Sequence, residues 1–415
     1  MKGLFHNHNN KTTEFIIIDS IMGSGKTSYI MNEINKASTS QKFIYVAPTL
    51  EETDRIVSIC PNMNFYQPKD RFGTKSTDLV DAIKNKKNIA MTHALFTTFV
   101  LTANLIETIR ETGYILVVDE TIDMVSNAKI STADFKMLLD TKKIEVLDCG
   151  LLRWVEENYV GKHEQFRSDV KRNNTYCFHN TPLQIIPIEK ITAFSKVIIL
   201  TYLFDGCPMS LYIKSYGLTF ESFHIYKNEL VNGKSSFLAE RKICRDLVDV
   251  HSGNLNFEKQ SDSFLSYSYC KDKKRATPEN LKQIKNNNYN FLRNHCNSLA
   301  DDVRWTAFIM IKDKIAPQSY KSSFLPCNAR ATNAFSHCNS LAYLVNVYCN
   351  PQIKSWFTEK DQHLSDDAFA LSQMLQWIWR SAIRNQQPTN IYIPSRRMRN
   401  LLLDWLNGID IEMPQ

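Results

Sequence analysis

A glycine-rich loop directly after a short apolar run restricts the possible folds of this chain more than any other feature. The run FIIID, residues 15–19, has the length and composition of a buried strand, and SIMGSGKTS, residues 20–28, follows it without a break. Gly23 and Gly25 allow the backbone to wrap with its N–H groups pointing inward, and the helix that begins after them adds a dipole that favours anions. A strand, a glycine loop and a helix in this order predict a phosphate cradle in an α/β fold.

The side chains of this loop have separate expected roles. The ammonium group of Lys26 would reach the β- and γ-phosphates of a nucleotide, and the hydroxyl group of Thr27 would hold Mg²⁺. The chain has Ser20 where the pattern GxxxxGK[ST] has its first glycine. The predicted cofactors are therefore ATP and Mg²⁺. The predicted nucleotide-binding residues are Gly23, Ser24, Gly25, Lys26, Thr27 and Ser28.

A second apolar run, ILVVDE at residues 115–120, ends in two acids. A carboxylate at the end of a buried strand can bind the metal that Thr27 holds, and Asp119 has this position. Glu120 is expected to orient and activate the attacking water. A kinase or a plain switch has less need of a base beside the metal ligand, so this pair predicts ATP hydrolysis.

The rest of the chain alternates short apolar runs with longer helix-like segments, as in a parallel sheet flanked by helices. The predicted strands of the first half are residues 15–19, 42–48, 88–92, 114–120 and 196–201, and residues 130–191 are predicted to form a helical insertion. In the second half LTFESFHIY, SFLSYSYC, WTAFIMI and NIYIP predict a second sheet, with helices at 278–298 and 366–384. The length of 415 residues favours two domains. We expect a flexible leader at 1–13, an ATP-binding domain at 14–215 and a second domain at 216–415.

The composition and charge of the chain indicate which partners and which cellular compartment to expect. A net charge of +7 and a pI near 8.7 are compatible with a polyanionic partner. Ten cysteines without a CxxC pair, and a polar start without a signal region, predict a reducing cytoplasm. No run approaches about 18 apolar residues, so no membrane partner is expected. Cys327, Cys338 and Cys349 are predicted to be buried thiols rather than zinc ligands, and His6 and His8 to belong to the leader rather than to a nuclease site.

With MGSGKT and VVDETID in this order, the chain resembles the superfamily 2 helicases and translocases. Their DEAD or DEAH box would be Asp119, Glu120, Thr121 and Ile122, of which the first two match. The resemblance implies two RecA-like domains in tandem. It also implies nucleic-acid contacts from YVAPTLEET, IAMTHALF and IILTYL, the last of which would couple hydrolysis to the strand. The residues that these segments supply are Pro48, Thr49, Thr92, His93 and Thr201.

The segment LQWIWRSAIR corresponds in this resemblance to the arginine-bearing motif QxxxRxxR. Gln376, Arg380 and Arg384 take its three positions, with the second interval one residue longer than usual. The resemblance implies that one or both arginines act on the γ-phosphate and stabilise charge in the transition state. The arginines would share one helix face at i, i+4, while an apolar stripe is buried on the other. That stripe consists of Leu371, Met374, Leu375, Ile378, Trp379 and Ala382.

A further motif of the family resembles LPCNARATNAF, where Arg330 and Thr332 would contact nucleotide and nucleic-acid backbone. The tail of the chain looks most like helicases of bacteriophages and prophages, which favours DNA over RNA and replication proteins as partners in a bacterial host. Two alternatives stay open at this point. One is a non-translocating regulatory P-loop ATPase, and the other is a DNA-packaging motor ATPase.

Overall fold

The computed structural model describes residues 4–5, 12–70, 74–257, 260–329 and 334–411. Its contacts divide the chain into two units. The first unit comprises Met1–Ser20, Ser24–Lys234 and Asn350–Leu364, and the second comprises Ile21–Gly23, Ser235–Cys349 and Ser365–Gln415. Residue 215, where the sequence placed the domain boundary, therefore lies inside the first unit. Among the described residues, the helices are all too short or too polar to cross a lipid bilayer.

The first unit contains a seven-stranded sheet, a three-stranded sheet and a two-stranded hairpin. Its strands are β1 Glu14–Asp19, β2 Phe43–Ala47, β3 Ile89–Thr92, β4 Ile115–Asp119, β5 Val125–Asn127, β6 Ile144–Val146, β7 Leu152–Trp154, β8 Thr175–Phe178, β9 Thr181–Ile185, β10 Lys196–Thr201, β11 Glu221–Tyr226 and β12 Glu229–Asn232. Its helices are α1 Lys26–Lys36, α2 Leu50–Ile59, α3 Lys75–Lys84, α4 His93–Thr98, α5 Ala103–Thr112, α6 Thr132–Asp140, α7 Glu164–Lys171, α8 Glu189–Thr192, α9 Pro208–Ser215 and, from later in the chain, α14 Pro351–Thr358.

The large sheet has the order β12-β11-β1-β10-β4-β2-β3, and every pairing is parallel except that of β11 with β12. Its inner strands are almost wholly buried, which agrees with their continuous apolar sequences. The helix α1 buries Ile30, Met31 and Ile34 against this sheet. The carboxyl ends of the parallel strands meet at one edge, and the glycine loop and the two acids lie there.

The insertion between β4 and β10 was predicted to be helical. This prediction is wrong, because short antiparallel strands supply much of the insertion. The strands β5, β9 and β8 form one sheet in that order, and β6 pairs with β7. A two-residue turn of His179 and Asn180, both with positive φ, joins β8 to β9. Such turns match the twist of a hairpin, and the dipeptide is the signal that the sequence analysis missed. The helices α6 and α7 share a small core with the β6–β7 hairpin through Phe135, Trp154 and Phe166.

The second unit has a four-stranded parallel sheet of order β13-β16-β15-β14. Its strands are β13 Val248–Val250, β14 Val303–Ala307, β15 Ser340–Leu344 and β16 Thr389–Tyr392. Its helices are α10 Leu238–Leu247, α11 Tyr267–Lys271, α12 Pro278–Asn290, α13 Ile309–Ile315, α15 Asp366–Ile378 and α16 Arg396–Leu406. A π-helical turn, Phe291–His295, continues α12. The predicted α/β fold with parallel sheets flanked by helices is confirmed.

Three predictions for the second half differ from the structure. LTFESFHIY does form a strand, β11, but it joins the first sheet beside β1. SFLSYSYC forms α11 instead of a strand, because the hydroxyl group of Ser266 accepts a hydrogen bond from the Tyr269 N–H and caps a helix. WTAFIMI is a strand only as far as Ala307, and α13 begins at Ile309.

The predicted leader is not free at Leu4 and Phe5. The ring of Phe5 packs edge-on against Phe43, with ring centroids 5.1 Å apart, and its carbonyl oxygen accepts a hydrogen bond from Gln41. The carbonyl oxygen of Leu4 accepts a bond from Lys196 at 2.7 Å. His6 and His8 lie outside the described residues.

Candidate functional site

The glycine loop between β1 and α1 depends on two glycines with left-handed backbones. Gly23 has φ 79° and Gly25 has φ 82°, backbone conformations that residues other than glycine rarely adopt. A Cβ atom at Gly23 would meet nothing within 4 Å, and one at Gly25 would approach only Asn228 Oδ1, at 3.8 Å. Backbone conformation, rather than lack of space, therefore requires glycine here. Asn228 belongs to the turn between β11 and β12, so this hairpin reaches the loop.

Ser20, which stands where the usual motif has glycine, ties three strands together at the base of the loop. Its N–H donates to the Thr201 carbonyl oxygen at the end of β10, and its hydroxyl group accepts from the Ile225 N–H of β11 at 2.7 Å. Its carbonyl oxygen accepts a hydrogen bond from Lys26 Nζ at 3.1 Å. The departure from the motif thus has a structural reason, since a glycine could not hold β11 in this way.

The predicted pair of Thr27 and Asp119 comes together as expected. The Thr27 hydroxyl donates to Asp119 Oδ1 over 3.2 Å, although β10 separates β1 from β4 in the sheet. The other carboxylate oxygen of Asp119 accepts a 2.8 Å bond from the hydroxyl group of Tyr45, a fully buried residue of β2. Tyr45 was not predicted as a site residue, because a tyrosine in a buried apolar strand gives no indication in the sequence of which group its hydroxyl will bind.

The carboxyl group of Asp119 is buried, and this burial raises its pKa to about 6. The hydrogen bond from Tyr45 and the charge of Lys26 act in the opposite direction, while Glu120 and Glu52 raise the pKa further. A buried carboxylate with these neighbours gains from a bound cation, which would offset both the desolvation and the like charges. His93, also buried, lies with its Nε2 atom 2.8 Å from the backbone carbonyl oxygen of Asp119.

Glu120 has a left-handed backbone with φ 64°, which is uncommon for a residue that is not glycine. Its N–H donates to the Leu200 carbonyl oxygen at 3.0 Å, which holds it against the end of β10. The side chain is half-buried. Strained conformations of this kind are concentrated at functional sites.

Asp19 is a second residue that sequence analysis missed. Its carboxylate accepts hydrogen bonds from the N–H groups of Leu203 and Phe204, each at 2.9 Å, and so joins the end of β1 to the segment after β10. Burial raises the pKa of Asp19, against the lowering effect of these two bonds and of Lys26. The acid that closes the first strand was visible in FIIID, but its partners lie more than 180 residues away.

The residues expected to contact nucleic acid lie at the same sheet edge or close to it. Thr49 and Thr92 are the N-caps of α2 and α4, and each side chain accepts a hydrogen bond from the backbone, from Glu52 and Leu95 respectively. Thr201 is the last residue of β10, and Pro48 directly follows the last residue of β2. His93 lies beside Asp119, as described above, and Arg330 and Thr332 lie outside the described residues.

The segment LQWIWRSAIR belongs to the second unit, where the helix α15 ends at Ile378. The predicted common helix face of Arg380 and Arg384 is therefore wrong. Ser381 is extended, and the N–H group of Ala382 donates to the Cys338 carbonyl oxygen at 2.8 Å, so a tertiary hydrogen bond replaces the next helical turn. Arg380 is buried, whereas Arg384 is exposed on the 3-10 helix Ala382–Asn385.

The other side chains of this segment follow the prediction in part. The apolar stripe from Leu371 to Ala382 is buried, as expected. Trp377, which lies outside that stripe, is also buried, and its ring packs against Tyr343 with centroids 5.5 Å apart. Gln376 is half-buried on α15.

None of the ten cysteines is in a disulfide bond. Of the three that were predicted to be buried thiols, Cys338 and Cys349 are buried, whereas Cys327 is only half-buried. The described part of the chain contains no group of three His, Cys, Asp or Glu side chains able to hold a metal by themselves.

The residues of the first unit nevertheless fit Mg²⁺ bound together with a nucleotide. Mg²⁺ prefers oxygen ligands and is commonly held by one or two protein groups plus phosphate oxygens, and Thr27 with Asp119 offers such a pair. The buried hydroxyl oxygen of Ser24 in the loop has no hydrogen-bond partner among the described residues. A phosphate oxygen in the cradle would supply one.

The chain thus has an α/β fold with a glycine loop between its first strand and its first helix, and Thr27 and Asp119 are in contact beside that loop. Over 411 residues the chain is 36% identical to the SPbeta prophage-derived uncharacterized protein YonV of Bacillus subtilis (strain 168), a match that covers 94% of this chain and 98% of that protein. The chain belongs to the YonV family. Its residues 242–406 match the family model described as the YonV C-terminal Rossmann-like domain.

Two solved structures resemble the chain more distantly. Xpd4 of S. tokodaii is 13% identical with a TM-score of 0.46, and the match covers 96% of this chain and 94% of that one. The DUF1998 helicase MrfA, in a crystal structure bound to DNA, is 12% identical with a TM-score of 0.35, covering 92% and 46%. Identities and TM-scores of this size do not bear on function.

Proposed function

We propose that this protein is an ATP-dependent helicase or translocase that acts on nucleic acid, with DNA favoured. The observation that carries the proposal is the contact between Thr27 and Asp119 behind the glycine loop, with Glu120 next in the chain. Lys26 would bind the β- and γ-phosphates, and the hydroxyl group of Ser24 would donate a hydrogen bond to a phosphate oxygen. Glu120 would orient the attacking water and accept its proton.

Mg²⁺, when bound with ATP, would neutralise charge on the phosphates during transfer. The contribution of the chain is to hold its oxygen ligands in place before the nucleotide binds. Tyr45 binds one oxygen of Asp119 and Thr27 binds the other, so the carboxylate has little rotational freedom. The Nε2 atom of His93 lies within hydrogen-bond distance of the backbone carbonyl oxygen of Asp119. Preorganisation of this kind reduces the cost of reorganising the site during hydrolysis.

The arginine that would stabilise the transition state is assigned to Arg384. Its side chain is exposed, whereas Arg380 is buried and therefore better suited to a structural role. Gln376 would support nucleotide binding from α15. These assignments rest on the helicase-like motif pattern of the sequence.

Contacts to the nucleic-acid strand are assigned to Pro48, Thr49, Thr92, His93 and Thr201. The relation to a prophage-derived protein supports DNA as the substrate and a bacterial host cell as the setting. Proteins of phage or mobile-element replication are the expected partners.

The test is the rate of ATP hydrolysis without nucleic acid and with single-stranded DNA, duplex DNA or RNA, followed by a strand-displacement assay. We expect single-stranded DNA to raise turnover and Lys26→Ala to abolish it. Turnover that no nucleic acid changes would contradict the proposal and favour a regulatory ATPase. Stimulation by duplex DNA alone, without strand displacement, would favour the packaging motor.

A further inference from the structure

A basic groove of about 660 Å³ lies in the second unit, between α12, α13 and the segment that precedes α12. Four lysines line it: Lys273, Lys282, Lys285 and Lys314. Lys273, Lys282 and Lys314 are exposed, and Lys285 is half-buried. The other residues that line the groove are apolar, so the lysines face no carboxylate across the groove.

Three acidic residues, Asp272, Glu279 and Asp313, adjoin residues that line the groove, against four lysines in the lining itself. The sequence KDKKR, residues 271–275, carries one aspartate among four basic residues. The side chain of Asp272 accepts a hydrogen bond from the Lys274 N–H at 2.9 Å and so turns back on its own loop. Arg275 is engaged within the protein, since it donates to Ser263 and lies over the ring of Tyr269 at 5.1 Å. The lysines of the groove thus form a field of positive charge that is open to solvent.

The walls that carry these lysines are firmly packed. Leu281 and Ile284 of α12 share a hydrophobic core with Ile311 and Ile315 of α13. Lys282 and Lys285 are three residues apart on α12 and therefore neighbours on its surface. Because the helices are fixed, a ligand that binds the lysines need order only their side chains.

The groove is poorly built for a single small anion. At the start of α12 the hydroxyl group of Thr277 accepts the Asn280 N–H, and Pro278 has no N–H to offer. A compact cradle of backbone donors is therefore not available there. Lysines spread over three elements, above a floor of Ala276 and Leu281, suit a chain of separated negative charges with less polar groups between them.

We propose that this groove binds the sugar-phosphate backbone of a single nucleic-acid strand. The inference rests on the proposed function, and it assigns strand contacts to a surface of the second unit that the helicase-like motifs do not include. The lysines would act as point charges on phosphates, while Ala276, Pro278 and Leu281 would contact the sugars. Such contacts fix the position of the strand without reading its sequence.

The test is binding of a fluorescent single-stranded DNA of about 20 nucleotides to the full chain, followed by anisotropy at several salt concentrations. Each phosphate contact to single-stranded DNA contributes about 0.7 to the slope of log K against log salt. The double variant Lys282→Ala/Lys285→Ala should lower that slope by about 1.4 and weaken binding about tenfold at low salt. Lys273→Ala/Lys314→Ala, on the other walls, should have a similar effect.

The matched control is Lys84→Ala/Lys86→Ala. These exposed lysines lie before β3, at the sheet edge opposite the glycine loop, and their loss changes the net charge by the same amount. The control should bind as the wild type does. Circular dichroism and the Tm should be the same for all variants.

An unchanged slope and affinity in both groove variants would overturn the inference and leave the proposed function intact, since the wild type would still bind DNA. Equal weakening in the control would also overturn it, because net charge alone would then explain the effect. If the wild type bound neither DNA nor RNA, the inference and the proposed function would fail together. An acidic protein ligand would then be the better partner for the lysines.

Discussion

Replacing Tyr45 with phenylalanine removes one hydrogen bond from the candidate metal site and leaves the packing of the sheet intact. The phenol group is buried, and burial raises its pKa, so it is a neutral donor to Asp119 Oδ2 at 2.8 Å. A hydrogen bond to a charged group contributes about 1.5–3 kcal/mol. Since about 1.4 kcal/mol corresponds to a factor of ten, losing this hydrogen bond corresponds to a change of about tenfold to a hundredfold in an equilibrium constant.

We expect this loss to appear as a higher Mg²⁺ requirement, because groups that orient a metal ligand commonly contribute about 10–100-fold to metal affinity. The measurement is binding of a fluorescent ATP analogue as the Mg²⁺ concentration is raised. Tyr45→Phe should increase the half-saturating Mg²⁺ concentration at least about tenfold.

Tyr114→Phe is the matched control. Tyr114 is equally buried in the same unit, and its hydroxyl group donates to the neutral Lys87 carbonyl oxygen at 2.7 Å. This change should lower the free energy of unfolding by about 0.5–1.5 kcal/mol and leave the Mg²⁺ requirement unchanged. If Tyr45→Phe folds and needs no more Mg²⁺ than the wild type, the reasoning that Tyr45 positions Asp119 for a metal is refuted.

Four further results are expected. Glu120→Gln should bind nucleotide normally but hydrolyse ATP at least about 100-fold more slowly, measured as phosphate release. Gly25→Ala should lower the free energy of unfolding by about 1–2 kcal/mol in urea titrations, since φ 82° is strained for alanine. Burial lowers the pKa of Lys190 from 10.5 to about 7, so between these values the unfolded chain binds a proton that the folded chain does not. The unfolding free energy of the wild type, relative to that of Lys190→Met, should therefore rise with pH by up to about 1.4 kcal/mol per unit in that window. Arg384→Ala should slow hydrolysis and keep the wild-type Tm, whereas Arg380→Ala should lower the Tm, because only Arg380 is buried.

Much of the first unit could be predicted from local patterns. The strands β1, β2, β3, β4 and β10 are apolar runs buried on both faces, and the glycine loop lies between a strand and a helix as expected. Burial acts on each run separately, so the pattern is visible without knowledge of its neighbours. The pair of Thr27 and Asp119 was also predictable, since Thr27 begins the helix that follows β1, Asp119 ends β4, and the carboxyl ends of these parallel strands lie at one edge of the sheet.

Other elements depended on partners that the sequence does not reveal. The apolar period of the sequence continues beyond Ile378, but α15 ends there and the N–H group of Ala382 donates to the Cys338 carbonyl oxygen instead. The segment that forms β11 was predicted to belong to a second sheet, yet a hydrogen bond to Ser20 holds it beside β1. In each case a hydrogen bond between distant residues competes with a local preference and prevails.

The amino-acid sequence by itself determined the glycine loop, the two acids at the end of β4 and the α/β class, because each follows from short-range chemistry: glycine conformations and burial of apolar runs. Only the tertiary structure decided that Tyr45 and Asp19 serve the site, that Arg380 is buried while Arg384 is exposed, and that four lysines line one groove. These features depend on which segments become neighbours, and that is settled by packing of the whole chain rather than by any one stretch of it.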